Sequence, residues 1–369
     1  MRRKPARDNA MILDLHHAID VFEQLGAEWN ALLERSVCRV PFLRAEYQKA
    51  WWQHRGGGEW PEAELLVVSA RDEAGRLRGL APLFVARNSE NRPALLLVGS
   101  HEISDFLDLI VEPTDLEAFA EALLDRLTAP DVPVWDVLDL YNLPADSPSR
   151  PALARAAAAR GWAATQQTLQ PTPIIRLPDS WEEYLAMMDK KERHELKRKM
   201  RRAEGGEDKV AWRLAGSEAT EAFLDMMALD PGKARFLTPA MRAQFHEIAR
   251  AARDHGWLQL AFLEVNGCPA AAYLNFDFGN RLWIYNSAID QHFSALSVGW
   301  VLLGNLLRWA IENKRAAFDF MRGGEDYKFR FGAVAESIYR LQLSRALSNA
   351  ELGGEPASLQ TLAGDYFPK

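Results

Sequence analysis

Two tight-turn dipeptides, Asn266-Gly267 and Gly279-Asn280, separate three apolar-rich runs at residues 257–265, 270–278 and 281–289. Asn and Gly accept the left-handed backbone that two-residue hairpin turns require, so such pairs between short apolar runs predict antiparallel hairpins. The three runs therefore read as a meander. A strongly apolar helical stretch follows at 297–313, then a short apolar strand at 317–321 and a last strand near 338–343. A meander, a helix and a crossover strand belong to a mixed-sheet α/β design rather than to a helical bundle or a sandwich.

Upstream, residues 181–203 carry an apolar stripe of Leu185, Met188, Leu196, Met200 and Ala203 and read as one helix. Ser180 with Glu183 three residues on is a capping box, and Gly205-Gly206 is the stop. Further helices are expected at 217–229 and 239–254. The first half repeats the order more loosely, with a helix at 45–53 and strands at 65–70, 77–86, 94–98 and 106–111. A helix at 115–127, a strand at 134–140, a helix at 150–160 and a strand at 163–169 complete it. Pro171-Thr172-Pro173 suggests a linker, because proline resists both helix and ladder. The expected division is a lead-in over 1–40, a first lobe over 41–170, a second over 174–346 and a tail over 347–369.

Composition sets outer limits. The chain has 369 residues, 48% hydrophobic and 26% charged, so two cores can form. A net charge of −7 argues against bulk DNA binding. Cys38 and Cys268 stand far apart without metal-type spacing, so no disulfide frame and no metal site are expected. The longest apolar run, 298–311, contains Asn305 and Arg308 and is too short to span a bilayer. The expected location is the cytoplasm.

Chemistry concentrates at Asp319-Phe320-Met321-Arg322-Gly323-Gly324-Glu325-Asp326-Tyr327-Lys328. An apolar strand that ends in this run has stopped serving a core. Asp319 inside the strand must be paired or shifted in pKa, with Arg322 the expected partner. Glu325 or Asp326 could take a proton from an incoming ammonium. Lys328 could stabilise an anion, and Tyr327 or Tyr285 could protonate a leaving group. The same residues could instead form a structural ion-pair cluster. Just upstream, Ser297 could cap the helix that begins there, and Gly299 could let backbone approach a ligand. Helix starts suit a diphosphate because their N–H groups are unpaired; a plain Ser-capped core helix fits the residues equally. In the first half, His101, Asp105 and Asp108 crowd one short stretch, which reads either as an acidic acceptor-binding edge or as a charged edge strand.

Several blocks together resemble the CelD-like, or cellulose-biosynthesis-associated, acyltransferases, whose tandem GNAT folds are related to the Fem-like transferases. The blocks are Trp181…Tyr184-Leu185…Arg193-His194-Glu195-Leu196-Lys197-Arg198, Asn286-Ser287 with Ser297-Val298-Gly299, residues 318–328, and Gly99…Ser104-Asp105-Phe106-Leu107-Asp108. The resemblance spans roughly residues 40–345. It implies tandem GNAT-like lobes with acetyl-CoA or another acyl-CoA as co-substrate, no metal, and an amine acceptor. Ser297, Val298, Gly299 and Trp300 would hold the cofactor. Asp319, Arg322, Glu325, Tyr327, Lys328 and Tyr285 would surround the reacting centre, with His101, Asp105 and Asp108 on the acceptor side. The sequence departs from the usual glycine-rich cofactor turn, since 292–300 contains one glycine.

The helical stretch 190–202 holds eight Lys or Arg against Glu192 and Glu195. It could be a solvated face, a peripheral contact with anionic lipid, an anion site or, least favoured, a tRNA contact. The acceptor could be an amino sugar of an exopolysaccharide or a long-chain amine. A Fem-like tRNA-dependent aminoacyl transferase, a lipid N-acyltransferase and a non-catalytic subunit of a polysaccharide or lipid assembly are the other readings.

Overall fold

A computed structural model describes residues 11–345. The expected tail lies outside them. The described chain forms two units, one of residues 11–169 with 338–345, the other Gln170–Ser337.

The first unit contains strands β1 (Ile12–His16), β2 (Glu64–Arg71), β3 (Leu77–Arg87), β4 (Pro93–Leu97), β5 (Ile110–Val111), β6 (Val137–Pro144) and the start of β7 (Ala163–Arg176). Its helices are α1 (Val21–Gln24), α2 (Gly26–Leu33), α3 (Ala45–Gly58), α4 (Leu116–Arg126) and α5 (Ser149–Ala159). The strand order is β1-β2-β3-β4-β6, with residues 338–344 beside β6. All pairs are antiparallel except β4–β6. Residues 11–40 of the segment expected as a lead-in belong to this unit. β1 pairs with β2, His16 Nε2 lies 2.8 Å from Ser69 Oγ, and Trp29 of α2 is fully buried. Asp139 of β6 is also fully buried, and its carboxylate accepts from Arg340 Nε and Nη2, both at 2.7 Å. A charge so placed is tolerated only with such a partner.

In the second unit come α6 (Trp181–Met187), α7 (Lys190–Gly205), β8 (Val210–Ala215), α8 (Thr220–Met227), α9 (Pro231–Phe236), α10 (Pro239–Asp254), β9 (Leu258–Val265), β10 (Cys268–Phe278) and β11 (Arg281–Ile289). Then follow α11 (Val298–Glu312), β12 (Ala317–Asp319), α12 (Asp326–Arg330) and β13 (Val334–Ser344), whose later residues join the first unit. The strand order is β7-β12-β11-β10-β9-β8. The predicted meander is β9-β10-β11, with left-handed Asn266, Gly267, Gly279 and Asn280 at its turns.

Capping explains the helix boundaries. Thr238 Oγ1 accepts from Met241 N at 3.2 Å, with Pro239 in the first helical turn. Ser180 Oγ accepts from Glu183 N at 3.2 Å, as expected. The single helix expected over 181–203 is two helices. Met188 is extended, and Asp189 caps α7 by accepting from Lys191 N at 2.8 Å. The apolar stripe runs across this break, so periodicity alone could not reveal it. The core of the unit forms around α11, where Leu302, Leu306, Leu307 and Ala310 pack with Leu196 and Met200 of α7 and with Leu282 and Phe318 of the sheet.

Pro171-Thr172-Pro173 is not a linker but part of β7. Prolines cannot donate, yet their carbonyls still accept. Phe320 N donates to Pro173 O at 2.9 Å and Gly323 N to Pro171 O at 3.0 Å.

Candidate active site

β11 runs antiparallel to β10 and parallel to β12, and the two edges of this strand behave differently. Its pairing with β12 covers Arg281–Ala317, Leu282–Phe318 and Trp283–Asp319. β12 ends there, while β11 continues to Ile289. After Asp319 the chain stays with β7 through the Pro173 and Pro171 carbonyls and leaves β11. Opposite β10, Ile284 pairs with Asn275 and Asn286 with Leu274, so Tyr285 is the extra residue of a bulge. The parallel pair thus diverges beside a bulge, and the chain from β11 reaches the start of α11 through a short 3-10 helix, Gln291–Leu296.

At that start, Ser297 is left-handed (φ 55°, ψ 42°) and its side chain makes no capping hydrogen bond. This corrects the expected Ser cap; Ser297 closes the first turn through its carbonyl, which accepts from Val301 N at 3.1 Å. Gly299 also differs from expectation. A Cβ there would sit 2.7 Å from Ile289 Cδ1, so the missing side chain serves contact between α11 and β11. Val298 is buried. The ring of Trp300 stacks on Phe331 with centroids 4.5 Å apart. Lys199 Nζ lies 3.8 Å and the Arg330 guanidinium 4.6 Å from the Trp300 ring centre.

The partner of Asp319 is Arg281 rather than Arg322. Asp319 Oδ2 accepts from Arg281 Nη1 at 2.9 Å, and Oδ1 from Met321 N at 2.8 Å. Burial pushes the Asp319 carboxyl up to about 6, against the pull of the arginine. Beyond it, Met321 is left-handed, and residues 322–325 form a loop tied by Lys328. Lys328 is buried, and its ammonium donates to Arg322 O at 2.6 Å and Gly323 O at 3.2 Å and pairs with Glu325 Oε2 at 2.9 Å. These contacts engage all three donors of the ammonium. The side chain of Glu325 is 50% exposed. Burial, assisted by Glu325, pushes the Tyr327 phenol up, so it stays protonated. Tyr285 at the bulge packs against Phe276 and Phe245, with centroids 4.8 and 5.8 Å away.

Lys233 of α9 escaped sequence reasoning. Its ammonium donates to Ser287 O at 2.5 Å and lies 3.4 Å from Ser287 Oγ. Burial pulls its pKa down, opposed by Asp230 and Glu325. The available signal was Asp230-Pro231, an N-cap followed by a first-turn proline; Asp230 Oδ1 accepts from Gly232 N and Lys233 N. Nearby, Lys191, His194, Glu195, Arg198 and Arg330 line an open cavity of about 580 Å³. Its cations are partly matched, Arg198 by Glu195 and Arg330 by Glu192, both at 2.8 Å.

The acceptor-side candidates fall in the first unit. Asp108 is fully buried; burial pushes it up to about 6, against the opposing pull of the nearby Ser147 and Ser149 hydroxyls and of Leu109 N, which donates to Oδ1 at 2.7 Å. Asp105 is half-buried. His101 Nδ1 lies 2.8 Å from Glu59 Oε1 and 3.4 Å from Glu102 Oε1. Burial pulls this imidazole down, but the two carboxylates carry it up to about 9.

Residues 190–329 match the family described as an acetyltransferase (GNAT) domain, a span that runs from α7 into α12. Among solved structures, FemX superimposes with a TM-score of 0.62 at 11% identity, covering 89% of this chain and 96% of FemX. L-PGS from Bacillus licheniformis gives 0.54 at 12%, over 88% and 93% of the two chains. A conserved protein of unknown function from Bacteroides thetaiotaomicron gives 0.58 at 11%, over 90% and 100%. A search of curated proteins finds no match by sequence. At these identities the likeness is one of fold. The chain has a mixed α/β fold like that of FemX, and residues 190–329 of its second unit match the GNAT acetyltransferase domain. Among the described residues no helix is long and apolar enough to cross a membrane.

Proposed function

We propose that the chain is a CelD-like, acyl-CoA-dependent N-acyltransferase. It would work in the cytoplasm on an amine acceptor such as an amino sugar of an exopolysaccharide or a long-chain amine. The observation that carries this reading is the divergence of β11 from β12 beside the Tyr285 bulge, at the mouth of α11. An extended thioester arm can lie along the freed edge of β11, with its diphosphate at the α11 start over Ser297, Val298, Gly299 and Trp300. Lys199 and Arg330, beside Trp300, add positive charge. The acceptor nitrogen attacks the thioester carbonyl, its proton passing to Glu325. The C–S bond then breaks, and Tyr285 or Tyr327 returns a proton to the thiolate. In this reading Asp319 with Arg281, Arg322 and Lys328 hold the loop that presents Glu325. His101 and Asp105 are the acceptor-side candidates, and buried Asp108 supports them.

Thermal-shift and calorimetric titration with CoA thioesters of increasing chain length tests the proposal. Saturable binding that weakens in Lys199→Met and in Arg330→Met, which remove positive charge beside Trp300, supports it. The absence of binding to any thioester refutes it. A tRNA-dependent aminoacyl transfer is favoured by one observation, the basic cavity of Lys191, His194, Arg198 and Arg330. Strong, salt-sensitive tRNA binding would select that alternative.

A further inference from the structure

We propose that Glu59, His101 and Glu102 of the first unit form a binding site for a divalent transition-metal ion of the Zn²⁺ or Mn²⁺ kind. This does not depend on the acyl-transfer reading. Sequence spacing gave no hint of it, because Glu59 lies 42 residues before His101 in the chain.

The geometry is close to what such an ion needs. One ligand atom from each residue lies within 4.8 Å of the others. His101 Nδ1 is 2.8 Å from Glu59 Oε1 and 3.4 Å from Glu102 Oε1. A tetrahedral zinc with bonds of about 2.0–2.1 Å separates its ligand atoms by roughly 3.3 Å. Loading therefore asks His101 Nδ1 and Glu59 Oε1 to separate by about half an ångström and the two carboxylates to settle within the 4.8 Å that encloses the set, with the ion taking the place of the proton that His101 shares with the carboxylates.

The surroundings fix the ligands in advance. Residues 55–58 are all left-handed and turn the chain immediately before Glu59. The imidazole is flanked by Trp60 and Tyr141, with ring centres 5.7 and 5.0 Å away. Trp60 Nε1 donates to Ser100 O at 2.6 Å and Asn142 Nδ2 to His101 O at 3.0 Å, so the backbone on both sides of the ligand is held. Outer contacts of this kind orient metal ligands.

An independent observation points to a missing cation. Glu59 Oε2 is buried and accepts no hydrogen bond, and the Oγ of fully buried Ser100, next to His101, also has no partner. A buried carboxylate oxygen without a donor is costly, and a cation would satisfy it. Two carboxylates with a neutral imidazole are balanced by one divalent ion. The nitrogen ligand favours a transition metal over Mg²⁺ or Ca²⁺. Glu102, with its side chain 60% exposed, gives the ion a route in and leaves a position for water.

The full-length protein, stripped with a chelator and dialysed, is titrated with Zn²⁺ by calorimetry, and bound metal is counted by mass spectrometry. The expected result is about one ion per chain, a raised melting temperature with Zn²⁺ but not with Mg²⁺, and at least about tenfold weaker binding in Glu102→Gln and Glu59→Gln. Glu102→Gln alters a side chain open to solvent, so it keeps the test valid if Glu59→Gln fails to fold. Cobalt substitution should give visible bands in the wild type that disappear in the variants. Zinc binding unchanged in both variants, or none in the wild type, overturns the site.

Discussion

The ammonium of Lys233 donates to the main-chain carbonyl of Ser287 at 2.5 Å, two residues past the Tyr285 bulge on β11. A side chain from α9 thus braces the strand where it has parted from β12. Lys233→Met removes the donor and leaves the carbonyl short of a partner. The expected loss is about 1–3 kcal/mol by denaturant unfolding. Thioester affinity should fall with it, because the edge of β11 is no longer held. Unchanged stability and binding would show that Lys233 is a bystander.

Lys328 and Glu325 form one ion pair but should respond differently to substitution. Lys328→Met leaves the Arg322 and Gly323 carbonyls without their donor, so a loss of about 2–4 kcal/mol is expected. Glu325 is half-exposed, so Glu325→Gln should cost less than about 1 kcal/mol. If Glu325 takes the acceptor proton, turnover in Glu325→Gln should nevertheless fall by about 10²-fold or more. Chemical denaturation and steady-state rates on both variants separate the roles.

Gly299 makes a prediction about packing. Gly299→Ala brings a methyl against Ile289 Cδ1 and should cost about 1–2 kcal/mol. Ile289→Val removes that atom, so the double variant should recover part of the loss. Melting temperatures of the two single variants and the double variant decide it. Purely additive losses would mean that the glycine matters for another reason.

Asp108 carries a pH signature. Its folded-state pKa is raised to about 6, so the native state holds the proton more tightly than the unfolded chain does. Its contribution to stability is therefore present below about pH 4, declines as pH rises toward 6, and is flat above that. Asp108→Asn abolishes this slope. Between pH 4 and 7 the variant should gain on the wild type by up to about 3 kcal/mol, because each tenfold rise in proton affinity is worth about 1.4 kcal/mol. Parallel stability curves for the two proteins would show that the carboxyl titrates alike in the folded and unfolded chains.

The hairpin turns and the α6 cap were legible because each depends on residues close in sequence: Asn266-Gly267, Gly279-Asn280 and Ser180 with Glu183. The position of the charged run after β12 was legible for the same reason. Its internal pairing was not. Arg322 is three residues from Asp319, but Arg281 reaches it because parallel register sets Trp283 beside Asp319 and so brings the start of β11 close. Lys233, Glu59 and the Trp300 cation contacts likewise depend on partners brought together only by the fold. Pro171 and Pro173 misled because the rule against proline in strands concerns donation, and here only their carbonyls are used.

The Asp139–Arg340 pair joins residues 201 positions apart. During synthesis at about 5–20 residues per second, β6 would wait roughly 10–40 seconds for residues 338–344. Throughout that interval it presents an unpaired ladder edge and a carboxylate meant for the interior. The amino-terminal unit can therefore be completed only once residues 338–344 have left the ribosome. A fragment stopped at Leu169 should be recovered as an aggregate or bound to chaperones rather than as a soluble domain.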